Sequence, residues 1–297
     1  YEPAQKLGDN AVFSVNVQKL YEFAKQVLNE REATVLNQEN SILWQDLVKI
    51  SSSPGGKRPK AIVALNKGTG EVISGQGIIP EGFQHYILKY DDNSAYPYAK
   101  LEYVYYRMAL DAGIEMMPSE LRTYDGVTHF LTQRFDREGN EKIHTQTLAA
   151  MLPTSDSYED IFSVIRRLNL PYEDSRQHFL RMVFNVTTRN VDDHSKNFSF
   201  CMNKKGIWRL SPAYDLTYSV DLTAPAYSNR HSLTINGKNE DITREDLGTV
   251  GQNNDIQDYN ALIDTVYNAV AKFESHAREL RIDEKLIKSI QEDFIKV

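Results

Sequence analysis

Asn190-Val191-Asp192-Asp193-His194-Ser195-Lys196-Asn197 is followed, eighteen residues beyond Asn197, by Asp215 within Ser211-Pro212-Ala213-Tyr214-Asp215-Leu216. Asp192 and Asn197 reproduce the D-x-x-x-x-N spacing by which a kinase-type loop places a base and a metal-binding amide, and a later Asp supplies the second metal ligand. Such a site needs a carboxylate on the acceptor hydroxyl and oxygen ligands for magnesium. An Asn oxygen supplies one without adding negative charge beside the phosphates. Taken alone the spacing also reads as a solvated turn, because Asp and Asn favour turns through side-chain hydrogen bonds to backbone. The neighbouring segments favour the first reading.

Upstream, Ser51-Ser52-Ser53-Pro54-Gly55-Gly56-Lys57-Arg58-Pro59-Lys60 reads as a loop that leads into a short apolar strand, Ala61-Ile62-Val63-Ala64-Leu65. Gly55 and Gly56 lack β-carbons, so their N–H groups can turn towards a phosphate, while Lys57, Arg58 and Lys60 supply compensating charge. The loop matches neither G-x-x-x-x-G-K-S/T nor G-x-G-x-x-G, and by itself it is also an ordinary surface turn. Asn66-Lys67-Gly68-Thr69-Gly70 predicts a turn, and a second strand around His85-Tyr86-Ile87-Leu88-Lys89-Tyr90 carries Lys89. Lys89 reads either as an exposed strand lysine or as a group reaching the α- and β-phosphates. Glu102, on the next helix, fits a solvated helix face better than an ion pair.

Helical spacing runs from Tyr98 through Leu101, Tyr105, Met108 and Ala112, with Gly113 at the capping position. A third strand, Val127 to Phe135, ends in the turn Asp136-Arg137-Glu138-Gly139. Further helices are expected over 15–50, 159–169, 174–190, 256–274 and 283–296. Phe198 to Leu210 reads as a hairpin that returns Asp215 towards Asn197, and Thr223 to Asn239 as a long surface loop. Strands followed by helices predict an α+β protein with two lobes joined near Gln133.

The 297 residues exceed the usual single-domain size, and 41% hydrophobic with 25% charged residues is ordinary for a packed globular chain. A formal net charge of −7, with no long Lys/Arg block, argues against a dedicated nucleic-acid surface or a membrane anchor. The single cysteine, Cys201, excludes an intramolecular disulfide and a cysteine-based zinc site. With no signal-peptide pattern at Tyr1 and no long apolar run, the expected setting is cytoplasmic.

Together the segments 53–61, Ile87-Leu88-Lys89, Arg134-Phe135-Asp136-Arg137, Asp192 to Phe198 and Pro212 to Leu216 resemble, in order, those of the HipA-like serine/threonine kinases, toxin components of bacterial toxin–antitoxin modules. The resemblance implies a two-lobed protein-kinase-like α+β fold, with a nucleotide-binding lobe over 1–133 and a helical catalytic lobe over 134–297. It implies ATP and Mg²⁺ as cofactors, Asp192 as base, and Asn197 and Asp215 as metal ligands. It places Gly55, Gly56, Lys57, Arg58, Lys60, Lys89, Gln133, Arg134, Phe135, His194, Lys196 and Tyr214 around the nucleotide. Many members carry Glu where this chain has Gln133, which leaves GTP open beside ATP.

Ser53 stands where the family phosphorylates its own glycine loop, and Ser51 completes an S-x-S form seen in short members. A phosphate there would repel incoming ATP. The resemblance further implies a protein substrate from the translation apparatus, such as an aminoacyl-tRNA synthetase, and a DNA-binding antitoxin partner. With about fifty residues before its loop, the chain resembles the short form, whose missing N-terminal subdomain can be a separate antitoxin protein. Two alternatives remain open on the motifs: a catalytically silent subunit that holds antitoxins, and a small-molecule kinase.

Overall fold

The computed structural model describes residues 60–91, 96–124, 126–221 and 229–296. The expected helix over 15–50 and the loop holding Ser51, Ser53, Gly55, Gly56, Lys57 and Arg58 lie outside the described residues. The chain forms two compact units: residues 1–100 with 118–142, and residues 101–117 with 143–297.

The first unit is built on an antiparallel five-stranded sheet. Its strands are β1 (Lys60–Asn66), β2 (Val72–Ser74), β3 (Phe83–Lys89), β4 (Ser119–Tyr124) and β5 (Val127–Gln133), in the order β2-β1-β3-β5-β4. The central strands carry near-continuous apolar runs because both faces are covered. Ala61, Val63, Leu65, Tyr86, Leu88 and Leu131 pack on one side and Ala64, Ile73 and Ile79 on the other. The turn predicted after β1 is present, with the Asn66 side chain accepting from the N–H of Gly68 and Gly70 at φ +76°. The Asp136–Gly139 turn is a small hairpin, β6 (Arg137–Glu138) with β7 (Glu141–Lys142).

The first unit also takes in residues 134–142. The helix α1 (Tyr98–Asp111) starts in the first unit, but from residue 101 it belongs to the second. The reason lies in its buried face. Tyr105, fully buried, donates its hydroxyl to the carbonyl of Thr188 at 2.6 Å and meets the Phe184 ring edge-on. Gly113, at φ +74°, closes the helix where expected, its N–H bonded to Leu110 and that of Ile114 to Ala109. Glu102 is buried, not solvated as its sequence setting suggested.

The second unit adds a three-stranded sheet, β10-β9-β8, from β8 (His144–Thr147), β9 (Ser199–Met202) and β10 (Trp208–Leu210), the last two forming the expected hairpin. Around it lie α2 (Leu148–Met151), α3 (Tyr158–Arg167), α4 (Tyr172–Thr187), α5 (Arg244–Asn253), α6 (Tyr259–Val270), α7 (Phe273–Glu279) and α8 (Glu284–Asp293). The helix expected over 256–274 is broken into α6 and α7, while α5 was not anticipated. Helix α3 starts with a capping box, Ser157 with Asp160. Helix α4 is the core element: Phe179, Leu180, Met182, Val183, Phe184 and Val186 are all fully buried. The segment 231–235, read as surface loop, is also partly core, because His231, Leu233 and Ile235 are buried. Among the described residues no helix is long and apolar enough to cross a membrane.

Candidate active site

The loop of Asp192 begins where α4 is forced to end. The hydroxyls of Thr187 and Thr188 bond back to the carbonyls of Val183 and Phe184, at 2.8 and 2.7 Å. Arg189 then takes the left-handed conformation at φ +57°, and the N–H of Asn190 reaches the carbonyl of Asn185, a Schellman-type stop. Asn190 through Asp193 run extended into a 3-10 turn, Ser195–Asn197, after which β9 begins.

Within this loop Asp192 and Asn197 are tied together. The Asn197 side-chain NH2 donates to the Asp192 carbonyl oxygen at 2.8 Å, which commits the amide nitrogen and directs the coordinating role to Oδ1. Asp215 follows β10 in the left-handed conformation, φ +55°, and lines the same small cavity as Asn197. That cavity, about 10 Å³, also touches Arg181, Asn185, Asn190 and Asp193. The hairpin therefore brings Asn197 and Asp215 together as expected. Their oxygens suit a hard cation that takes one or two protein ligands and completes its shell with water and phosphate. Among the described residues no group of three or more His, Cys, Asp or Glu is placed to hold a metal ion on its own.

The Asp192 carboxylate is 70% exposed, with His194 Nε2 at 3.9 Å from Oδ1, so it faces solvent rather than the core. Lys196 and Tyr214 are joined: the Tyr214 hydroxyl donates to the Lys196 carbonyl at 2.9 Å and shares a 2.5 Å hydrogen bond with Ser199 Oγ. Burial raises the ionisation of that phenol above its ordinary range. Tyr214 is thus a brace between the 3-10 turn and the Asp215 segment. Beneath the cavity, Arg181 is buried, and burial lowers its pKa to about 10 against the raising influence of Glu115, Asp174 and Tyr214.

In the first unit, Lys89 is the last residue of β3 and lies in register opposite Lys60 of β1 and Phe130 of β5. Its ammonium sits 5.8 Å from the centre of the Phe130 ring, a cation–π contact. Where the resemblance places Gln133 and Arg134 near the nucleotide, their N–H groups are committed to the carbonyls of Pro118 and His85. The Arg134 guanidinium forms a bidentate pair with Asp136, at 2.8 and 2.7 Å. Burial alone would raise the Asp136 carboxyl, but the hydrogen bonds and charge of Arg134 and Arg137 hold it below its ordinary value. Arg134 is therefore placed as an internal strut, and Phe135 follows it directly.

Sequence reasoning missed four residues that shape this site: Arg181, Asn185, Tyr158 and His231. Arg181 and Asn185 left a readable signal, lone polar groups between Leu180 and Met182 and between Phe184 and Val186 in an apolar helix, where a buried polar group demands a partner.

The HipA-like C-terminal domain family matches residues 52–294. The chain belongs to that family. A protein of Sinorhizobium fredii (strain NBRC 101917 / NGR234), provisionally named kinase Y4mE, is 28% identical over 130 residues, 38% of this chain and 31% of the relative. The matched segment thus spans about a third of that relative's length. The HipA chain of Shewanella oneidensis MR-1, solved with HipB and operator DNA, superposes with a TM-score of 0.64 at 17% identity over 97% of this chain and 71% of its own. This HipA-like chain therefore shares the α+β fold of that HipA structure, as its motifs implied.

Proposed function

We propose that this HipA-like protein is an ATP- and Mg²⁺-dependent protein serine/threonine kinase. The observation that carries the reading is the fixed relation of three groups. Asn197 is bonded to the backbone of Asp192 and shares a cavity with Asp215, while the Asp192 carboxylate stays open to solvent. In this reading Asp192 accepts the proton of the acceptor hydroxyl as its oxygen bonds to the γ-phosphorus and the bond to the ADP oxygen breaks. Asn197 Oδ1 and the Asp215 carboxylate hold Mg²⁺, whose charge offsets that of the phosphates. Lys89 and Lys60 contribute positive charge to the nucleotide. Gln133 and Phe135 provide the adenine segment, through groups other than the committed N–H donors of Gln133 and Arg134.

The acceptor is proposed to be a translation component, an aminoacyl-tRNA synthetase being the model substrate, and the chain's own Ser53 or Ser51. Partners are proposed on two grounds: a DNA-binding antitoxin by analogy with the Shewanella complex of HipA, HipB and operator DNA, and a separate small antitoxin protein from the resemblance to the short form. The test is incubation with labelled ATP and magnesium followed by phosphopeptide mapping. Phosphate at Ser53 or Ser51 and on added protein is expected. Label on a small metabolite alone would favour a small-molecule kinase, and no transfer at all would leave a silent binding subunit.

A further inference from the structure

Asp193 stands next to Asp192 and is its opposite in every physical respect. Its carboxylate is fully buried and accepts three hydrogen bonds: Oδ2 from the Tyr158 hydroxyl and from His231 Nδ1, both at 2.7 Å, and Oδ1 from the Ser232 N–H at 2.7 Å. Removing a carboxylate from water costs several kcal/mol unless such donors surround it. The donors come from two distant segments, the first residue of α3 and the stretch after residue 229.

The bonds do not stop at Asp193. The Tyr158 hydroxyl accepts from Asn185 Nδ2 at 2.8 Å, Asn185 Oδ1 accepts from Asn190 Nδ2 at 3.0 Å, and Asn190 Oδ1 accepts from Ser219 Oγ at 3.2 Å. Ser219 Oγ in turn accepts the N–H of Asp192 at 3.0 Å. The chain of bonds thus starts at the Asp193 side chain and returns to the backbone of Asp192, gripping the catalytic loop from both sides. Linked hydrogen bonds of this kind reinforce one another in a low-dielectric interior.

His231 has a single polar task here. Its Nε2 is buried without a hydrogen-bond partner, which carries a desolvation cost that only the bond from Nδ1 to Asp193 offsets. An apolar side chain would fill the space without that cost.

We infer that His231 and Tyr158 are positioning residues for phosphoryl transfer, clamping Asp193 so that the Asp192–Asn197 loop holds its catalytic geometry. This rests on the proposed kinase reading, and Asp192 remains the group that meets the acceptor. A loop displaced by about 1 Å can cost on the order of 10²-fold in rate.

The test uses the full chain with His231→Ala, His231→Asn and Tyr158→Phe, read by steady-state kinetics and by hydrogen–deuterium exchange. His231→Ala is expected to lower kcat roughly 10–100-fold with the KM for ATP within about twofold, and to expose the amides of residues 191–197 while α4 and the five-stranded sheet stay protected. His231→Asn, whose Nδ2 can stand where Nδ1 stood, should regain most of the loss, and Tyr158→Phe should fall between. A kcat within about twofold of wild type in His231→Ala overturns the clamp. So does exchange that rises throughout the second unit together with a lowered melting temperature, or an Asn variant no better than Ala. If wild type transfers no phosphate, the kinase reading fails and exchange alone decides: local exposure of 191–197 supports the clamp, and unchanged protection there refutes it.

Discussion

Lys89 and Asp192 are positioned by opposite means. Lys89 ends a strand whose residues are fixed by an unbroken ladder to β1 and β5, so its place follows from backbone pairing. Asp192 sits on a loop with no ladder, and its place depends on side chains from α3, α4 and the segments at 219 and 231. The difference teaches where mutations act. A change beside Lys89 leaves the strand in register, whereas a change far from Asp192 in sequence can move the loop.

The sharpest break in this comparison is expected at the metal side of the loop. Asp215→Ala removes the only carboxylate proposed to hold Mg²⁺ and should abolish phosphoryl transfer to added protein, with the melting temperature unchanged. Retained transfer would detach the Asp215 segment from the chemistry.

On the strand side, Lys89→Ala should act through nucleotide affinity. Losing a charge-assisted contact worth about 1.5–3 kcal/mol raises the KM for ATP roughly 10–100-fold, measured by initial rates over an ATP series. A kcat loss at unchanged KM would mean that Lys89 behaves like a loop residue, and the contrast would fail.

A smaller effect is expected at Tyr214. The Phe variant keeps the ring and loses the bond to the Lys196 carbonyl, about 1 kcal/mol or about fivefold in kcat, with KM little changed. An effect on KM instead would return Tyr214 to the nucleotide contacts implied by sequence.

The sheet also predicts a pH dependence of stability. Burial, helped by the charges of Arg137 and Arg134, lowers the pKa of His85 from 6.5 to about 4, and burial alone does the same at His129. Both are neutral in the folded chain but protonate at about 6.5 once unfolded. Their stabilisation is therefore fully present above pH 6.5 and is lost as pH falls towards 4. Urea midpoints at pH 7.5 and 4.5 should differ for wild type, and less so for the His85→Gln, His129→Gln pair. An equal difference in both would refute the assignment.

The same contrast explains what could be read in advance. β1, β3, β5, α1 and the hairpin of β9 and β10 announce themselves through apolar periodicity and through Gly70, Gly113 and Gly206 at positive φ. The spacing of Asp192, Asn197 and Asp215 survives because a loop and a hairpin of fixed length join them. Asp193 and His231 were illegible because 38 residues separate them and neither lies on a periodic element. Glu102 was misread for a related reason: helical spacing marks an apolar stripe but not what covers its edge. The Arg134 pairing was within reach of the motif itself, since its carboxylate partner lies two residues away.

The most direct test of the account is the rate of phosphoryl transfer from labelled ATP by wild type and by Asp192→Asn at equal protein and saturating magnesium. The account predicts transfer by wild type and a loss of roughly 10²–10⁴-fold in the variant, with nucleotide binding retained. Equal rates in the two proteins, or no transfer by wild type, would contradict it.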